Sequence, residues 1–394
     1  MLADNPFLKV ALSLKKRLPQ TVCILILFHT FAANNNLPKV NTKERNKFRL
    51  PAEWEPQSGI LLMWPHEATD WKPYLDNINE IFLQLADAIT HREHLLVVTP
   101  RPEQTQTLLK SRLSVNQQER VHFRKCDTND TWARDVAPIS LISEDVSKRF
   151  LLLDFRFNGW GMKFAAEKDN EMNRKLHLSG TFNGTLENQK DFVLEGGSIE
   201  TDGKGTLFTT TACLTAPNRN QPLKKPDLER NLINLFPNTK KVVWIEHGNL
   251  IGDDTDGHID TILRCAPNDT LLYNGTDDTS DPHYEDLKAL EEQIAALRTP
   301  EGRSYRLLKV QLPKPMFWDG ERLPATYDNF VILNNAVIVP TYQQPDLDKL
   351  AMQTIKKAFP QHEIIGIDAS TVVRQHGSLH CLTMQFPKSC LTLS

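Results

Sequence analysis

An α/β fold is what this sequence predicts, on three observations. Short runs rich in Val, Ile and Leu recur through residues 49–388, many of them bounded by Gly, Pro or Asn. Segments with helical spacing separate them. Loops that carry Asp, Glu, His or Cys beside glycine return at near-regular intervals. Strands alternating with helices define the α/β class.

The strands expected are Ile60–Trp64, Leu95–Thr99, Phe150–Phe155, Val242–Ile245, Leu307–Leu312, Phe330–Leu333, Ala336–Val339 and Ile364–Ile367. Four helices lie among them. Ile78, Ile81, Phe82, Leu85, Ala88 and Ile89 fall on one face at 3-4 spacing. Leu228, Leu232, Leu235 and Phe236 follow Pro226 and Asp227, which suit the start of a helix. Leu287, Leu290, Ile294 and Leu297 make the third. Leu347, Ala351, Ile355 and Ala358 make the fourth, which stops before Pro360. No long linker divides 49–388, so a single domain is expected there, with residues 389–394 as a tail.

Composition narrows the function. Of the 394 residues, 40% are hydrophobic and 24% charged, as in globular proteins, and this excludes a disordered chain, a collagen repeat and a coiled coil. The net charge of -3 offers no basic field for nucleic acid. No glycine-rich phosphate loop follows any expected strand, so nucleotide binding has no support. Six cysteines lie far apart without a CxxC pair, so free thiols are expected and one of them could be a nucleophile.

Residues 1–48 differ from the rest. Lys15, Lys16 and Arg17 precede an apolar run, Val22–Phe31, that ends in Ala32-Ala33. This is the layout of a signal peptide, although its basic part sits late and His29 and Thr30 interrupt the run. The run is too short to span a bilayer as a helix, so no membrane partner is expected. An upstream extension that never packs on the domain is the other reading. The protein is then cytoplasmic, or exported if the segment is a genuine signal.

The chemistry gathers in five loops. They are Thr128-Asn-Asp-Thr-Trp-Ala-Arg-Asp135, Leu194-Glu-Gly-Gly-Ser198, Gly252-Asp-Asp-Thr-Asp-Gly-His-Ile-Asp260, Tyr327-Asp-Asn329 and Gln375-His-Gly-Ser-Leu-His-Cys381. Asp135 and Glu195 are 60 residues apart, Glu195 and His258 63, and His258 and Cys381 123, with Asn329 between. A radial array of repeated units would bring such loops to one axis.

The Gly252 loop looks like a calcium loop but fails as one. With Gly257 at the sixth position, Gly252 and Leu263 would occupy the first and twelfth positions, where carboxylates are needed. Zinc on His258, Asp260, His380 and Cys381 fits poorly, because structural zinc prefers close Cys and His pairs. No metal is expected. Cys381 lacks the local signatures of cysteine proteases. A buried apolar role, usual for cysteine, is expected for Cys126, Cys213 and Cys265. Trp132 between Asp130 and Asp135 suits a cationic ligand. A thiol, a histidine and several carboxylates together suit attack on a cationic carbon. A guanidinium is planar and permanently charged, so carboxylates can clamp it while a thiolate attacks and a histidine moves protons.

These motifs resemble the agmatine deiminases, a family of the guanidine-modifying pentein superfamily. The resemblance rests on the loops above together with Phe157-Asn-Gly-Trp-Gly161, Glu53-Trp54 and Trp64-Pro-His-Glu67, and spans roughly residues 49–387. It implies a five-bladed α/β propeller and hydrolysis of agmatine to N-carbamoylputrescine and ammonia, without metal or cofactor. Carried over by position, Cys381 is the nucleophile and His258 the acid, then the base. Asp135 and Asp260 hold the guanidinium. Asp254 and Glu195 make further substrate contacts, Trp132 lines the channel, and Asn329 and Gly377 shape the pocket; Asp130, beside Trp132, is expected to bind the cationic substrate as well. A homo-oligomer is implied as well. The related bacterial peptidylarginine deiminases carry arginines soon after a Tyr-Asn pair, and the stretch here has none, which favours a decarboxylated substrate. Val136-Ala137 departs from the usual agmatine deiminase pattern and bears on fine specificity. Two other readings are a polyamine-binding module, which needs neither Cys381 nor His258, and a metal-dependent hydrolase built on His258 and Asp260.

Overall fold

A computed structural model describes residues 39–145 and 149–393. The signal-like segment falls within residues 1–38, outside the described part. Among the described residues there are five sheets of three or four strands and one two-stranded ribbon.

The five sheets repeat one construction. An antiparallel pair is followed by a helix, and the helix returns the chain as a strand parallel to the second of the pair. The first sheet has Ile139–Ser143, Phe150–Arg156, helix Asp169–Leu178 and Thr185–Val193. The second has Ile199–Thr201, Thr206–Thr210, helix Lys225–Leu235 and Lys241–Ile245. The third has Leu263–Ala266, Thr270–Gly275, helix Tyr284–Ala295 and Arg306–Gln311. The fourth has Val331–Leu333, Ala336–Thr341, helix Pro345–Ala358 and Glu363–Asp368. The fifth joins the two ends of the chain. Thr383–Pro387 pairs antiparallel with Gln57–Met63, and helix Leu75–Thr90 leads to His94–Thr99.

All four expected helices form. In Leu75–Thr90 the residues at 3-4 spacing are buried, including Ile78, Ile81, Phe82, Leu85 and Ile89. Each large side chain of this kind contributes roughly 1.5–3 kcal/mol of burial. The expected strands form as well, with ends shifted by a few residues. Others were not expected. Thr206–Thr210 and Thr185–Val193 contain too many polar residues to stand out as apolar runs. Helix Asp169–Leu178 buries only Met172 and Leu176 among its apolar residues, with Asp169 and Asn173, so it lacks a clear stripe.

The described part extends beyond 49–388 at both ends. The backbone N–H of Val40 donates to Glu187 Oε1 at 2.8 Å. Cys390 and Leu391 are buried, and Leu391 bridges to Phe182. No helix among the described residues is long and apolar enough to cross a membrane.

Candidate active site

The repeated construction decides where the chemistry falls. Asp135 lies just before Ile139–Ser143, Glu195 before Ile199–Thr201, and His258 and Asp260 before Leu263–Ala266. Asn329 lies just before Val331–Leu333, and Cys381 before Thr383–Pro387. Each loop enters the first strand of its sheet, so residues far apart in sequence occupy equivalent places.

Cys381 is buried and held by Asn329. The Asn329 side-chain oxygen accepts from the thiol at 3.4 Å and from the backbone N–H groups of Cys381 and His380 at 3.3 and 3.0 Å. The thiol also lies 4.0 Å from Asp260 Oδ2. Burial, and then the charges of Asp260 and Asp135, push its pKa well above the ordinary value. The resting group is a neutral thiol.

Asp135 accepts from the Trp160 indole N–H at 3.0 Å and from the Gly197 backbone N–H at 3.0 Å. Its other close neighbour is His258 Nδ1, 3.7 Å from Oδ1. Burial raises the Asp135 pKa against the opposing charge of His258. For His258, burial favours the neutral ring, but Asp135, Cys213 and Glu195 outweigh it and the pKa rises. Gly197 makes this arrangement fit, because a Cβ there would lie 2.6 Å from His258 Nδ1 and 3.0 Å from Asp135 Oδ1.

Asp260 is fully buried and is supported by His380. The ring nitrogens of His380 lie 2.7 Å from Asp260 Oδ2 and 2.9 Å from Glu53 Oε2. Burial resists ionisation of Asp260, yet the His380 hydrogen bond and the charges of His380, His258 and Arg264 keep its pKa low. Asp260 Oδ1 has no hydrogen-bond partner among the described residues.

A cleft of about 310 Å³ opens onto this group. Among the expected residues it is lined by Asp130, Trp132, Asp135, Asp254, Gly377 and Cys381. The Trp132 indole N–H donates to Asp130 Oδ2 at 3.0 Å, and its ring packs on Trp71 at 5.7 Å. Gly377 lets that ring come close, since a Cβ there would meet it at 2.2 Å. Burial pushes the pKa of Asp130 up to about 7, opposed by the Thr131 backbone hydrogen bond and helped by Asp70. Burial and the neighbouring Asp253 push Asp254 to about 6.

Four expected residues are not on the cleft wall. His258 and Asp260 lie just behind it, in contact with Asp135 and Cys381 respectively. Asn329 is fully buried beneath the thiol. Glu195, expected as a substrate contact, is also fully buried, and its Oε1 accepts from Arg219 Nε at 2.8 Å. Its neighbours are Arg219, Cys213 and His258, not the open cleft.

The sequence did not single out several supporting residues. Arg219 also donates to Asp256 Oδ2 at 2.6 Å and to the Thr255 carbonyl at 2.9 Å, which fastens the loop that carries His258. Arg264 is fully buried, pairs with Glu53 at 2.7 Å and Glu200 at 3.1 Å, and lies over the Phe330 ring. A lone arginine in the apolar stretch Ile262-Leu-Arg-Cys-Ala266 was the available signal, because buried charges need partners. Trp160, within the quoted Phe157-Asn-Gly-Trp-Gly161 motif but given no role there, also lines the cleft, as do Tyr74 and Arg374, which had no such signal. A cavity of about 350 Å³ elsewhere touches Arg134, Glu53 and His380, but neither Cys381 nor His258.

Fold and site together define a class: an α/β protein with a buried thiol, a histidine and paired carboxylates at the end of an aromatic, acidic cleft. The sequence model of the Porphyromonas-type peptidyl-arginine deiminase family matches residues 49–387, so the chain belongs to that family, whose members similar to this chain include agmatine deiminases. A solved Campylobacter jejuni agmatine deiminase with substrate bound is 36% identical, with a TM-score of 0.79 over 86% of this chain and 96% of that one. A Porphyromonas gingivalis structure provisionally described as an arginine deiminase is 44% identical, with a TM-score of 0.82 over 88% of this chain and 100% of that one. An agmatine deiminase of Medicago truncatula is 29% identical over 88% of this chain and 98% of its own length.

Proposed function

We propose that the protein hydrolyses agmatine to N-carbamoylputrescine and ammonia through a covalent intermediate on Cys381. The observation that carries this is the thiol itself. It is held at 3.4 Å by Asn329 and lies 4.0 Å from a buried carboxylate, at the end of a cleft lined by Trp132, Trp160, Asp130 and Asp254. The names of the similar proteins support it, because two of the three are agmatine deiminases.

In this reading Asp135 and Asp260 clamp the guanidinium. Its positive charge offsets the carboxylates that suppress the thiolate, so the substrate itself activates the nucleophile. The thiol proton passes to solvent as the cation binds, and the sulfur bonds to the central carbon; the sulfur is reprotonated when the carbon–sulfur bond later breaks. His258 gives a proton to the departing nitrogen, which leaves as ammonia. The same ring then takes a proton from water. The water oxygen bonds to the carbon, the carbon–sulfur bond breaks, and the urea-like product leaves. Trp132 and Trp160 pack along the methylene chain, and Asp254 and Asp130 face the distal ammonium. The steps use side chains alone. The five sheets are read as the blades of a propeller with the site on its axis, within a single domain over 49–388. A homo-oligomer and a cytoplasmic location complete the proposal.

A second reading is deimination of a C-terminal arginine in a peptide. Arg374 favours it, because this cation lines the cleft and could meet a carboxylate. Agmatine, free arginine and a peptide ending in arginine should be offered in parallel, each with a Cys381→Ala control. Ammonia and N-carbamoylputrescine from agmatine alone are expected. Citrulline in the peptide would keep the mechanism and overturn the substrate, and would turn attention to export.

A further inference from the structure

Cys213 is a buried thiol that the proposed chemistry leaves unused. It lies in helix Thr211–Thr215, where the Thr210 hydroxyl accepts from its backbone N–H at 3.1 Å. The same hydroxyl donates to the Gly257 carbonyl at 2.6 Å, which ties this helix to the residue before His258. Glu195 reaches the same place from the loop that enters Ile199–Thr201 of the same sheet. One ligand atom from each of Glu195, Cys213 and His258 lies within 4.8 Å of the other two. All three residues are fully buried. Both ring nitrogens of His258 and Oε2 of Glu195 have no hydrogen-bond partner among the described residues. Buried polar atoms are almost always satisfied, and here only the loose pull of Cys213 and of Asp135 at 3.7 Å reaches the His258 ring while Oε2 of Glu195 has nothing, so these facing atoms point to something that bridges them.

A thiolate, an imidazole and a carboxylate form a ligand set suited to zinc. Calcium and magnesium prefer oxygen alone. We propose that Glu195, Cys213 and His258 form a site for a thiophilic divalent cation of the zinc class, and that its occupation switches the enzyme off. This differs from the zinc set weighed from sequence, which drew on Asp260, His380 and Cys381. Tetrahedral zinc with bonds of ~2.0–2.3 Å holds its ligand atoms about 3.5 Å apart, so side-chain rotations of about an ångström bring the three atoms onto one ion. Binding forms metal–sulfur, metal–nitrogen and metal–oxygen bonds. The Cys213 thiol proton and the proton that the raised pKa keeps on the His258 ring both pass to solvent, and nothing is oxidised or reduced. The thiolate and carboxylate balance the two charges of the cation. Arg219 keeps Oε1 of Glu195, so that carboxylate offers one oxygen. Water takes the fourth position. The route in is the cleft floor, where Asp135 and Thr255 both line the cleft and both neighbour His258.

Binding stands on the geometry alone, whereas inhibition rests on His258 being the acid and base of the proposed reaction. The test separates the two. Protein carrying Cys381→Ser, which removes the nucleophile as a ligand, is titrated with Co²⁺ as a coloured substitute for zinc. One equivalent should bind with a thiolate-to-cobalt charge-transfer band. Adding Cys213→Ser, or Glu195→Gln as a near-isosteric variant that spares the thiol, should weaken binding about 10-fold or more. Circular dichroism and a thermal melt establish that each variant is folded. A band of equal strength with and without Cys213 would overturn the site. In parallel, the native enzyme is assayed with Zn²⁺ and then with a chelator. Reversible inhibition, with the half-inhibiting Zn²⁺ concentration raised about 10-fold or more by Cys213→Ser, is expected. A Cys213-dependent cobalt band without inhibition would overturn the switch. Cobalt binding in a protein that turns over none of the three substrates would support the site and count against the proposed reaction instead.

Discussion

Cys381 waits as a neutral thiol because burial and two carboxylates oppose its charge. A guanidinium too small to cover the sulfur should therefore speed its alkylation; an unchanged or slower rate would count against activation by the substrate. Two carboxylates of the cleft wall titrate differently. Asp254 and Asp130, at about 6 and about 7, are carboxylates with raised pKa values. They attract an ammonium only when ionised, so KM for agmatine should rise as pH falls from about 7.5 to 5.5. Asp254→Asn should raise KM at pH 7.5 and flatten that rise. A profile identical to the native one would remove Asp254 from amine recognition. Gly377→Ala places a methyl 2.2 Å from the Trp132 ring and should lower kcat/KM by roughly 10-fold or more, since displacing a positioning group by about 1 Å can cost far more. These residues were legible in the sequence because each breaks local pattern: a thiol after glycine and histidine, or a tryptophan between two aspartates.

Elements show where that legibility ends. Helices with a clean apolar stripe, such as Leu75–Thr90 and Pro345–Ala358, were readable from spacing. Helix Asp169–Leu178 and strand Thr185–Val193 were not, because their buried positions include Asn173 and Glu187, which bond across the fold. Phe82 is fully buried and packs edge-on against Trp64 at 5.3 Å. Phe82→Ala should cost about 3–5 kcal/mol, read from denaturant unfolding. Arg219 tests the loop anchor. Its side chain is 1% exposed and pairs with Glu195 and Asp256. Arg219→Met would leave Glu195 buried without its cation, and a loss of about 3–5 kcal/mol is expected. A loss below about 1 kcal/mol would show that the loop holds without it.

Across the whole molecule, the fifth sheet joins the two ends of the chain, and one of its supports is a buried acid. Glu93, just before His94–Thr99, accepts from the Asn334 side-chain N–H at 2.6 Å, in the turn of the fourth sheet. Burial, opposed by the Asn334 backbone N–H and by Arg92, raises its pKa from 4.5 to about 8. The folded state therefore holds a proton that the unfolded chain has lost between about pH 4.5 and 8. Stability contributed by this group is full below that window and falls as pH rises through it. Glu93→Gln should flatten the fall in thermal midpoint between pH 5 and 8 and stabilise the protein at pH 8. An unchanged slope would place the pH sensitivity elsewhere, with Asp130 and Asp169 the next candidates at about 7.

The sequence by itself determined the α/β class, the main helices, and the thiol, histidine and carboxylates that the structure brings together. Those follow from local pattern, since hydrophobic period and unusual residue types are written in consecutive positions. The tertiary structure decided what pairs across sheets. It placed Glu195 against Arg219 rather than in the cleft, set His380 between Asp260 and Glu53, buried Arg264 between two glutamates, and brought Cys213 beside His258. A buried charge is held by partners of opposite sign wherever the fold brings them close, and closeness between residues dozens to hundreds of positions apart is not encoded in either neighbourhood alone.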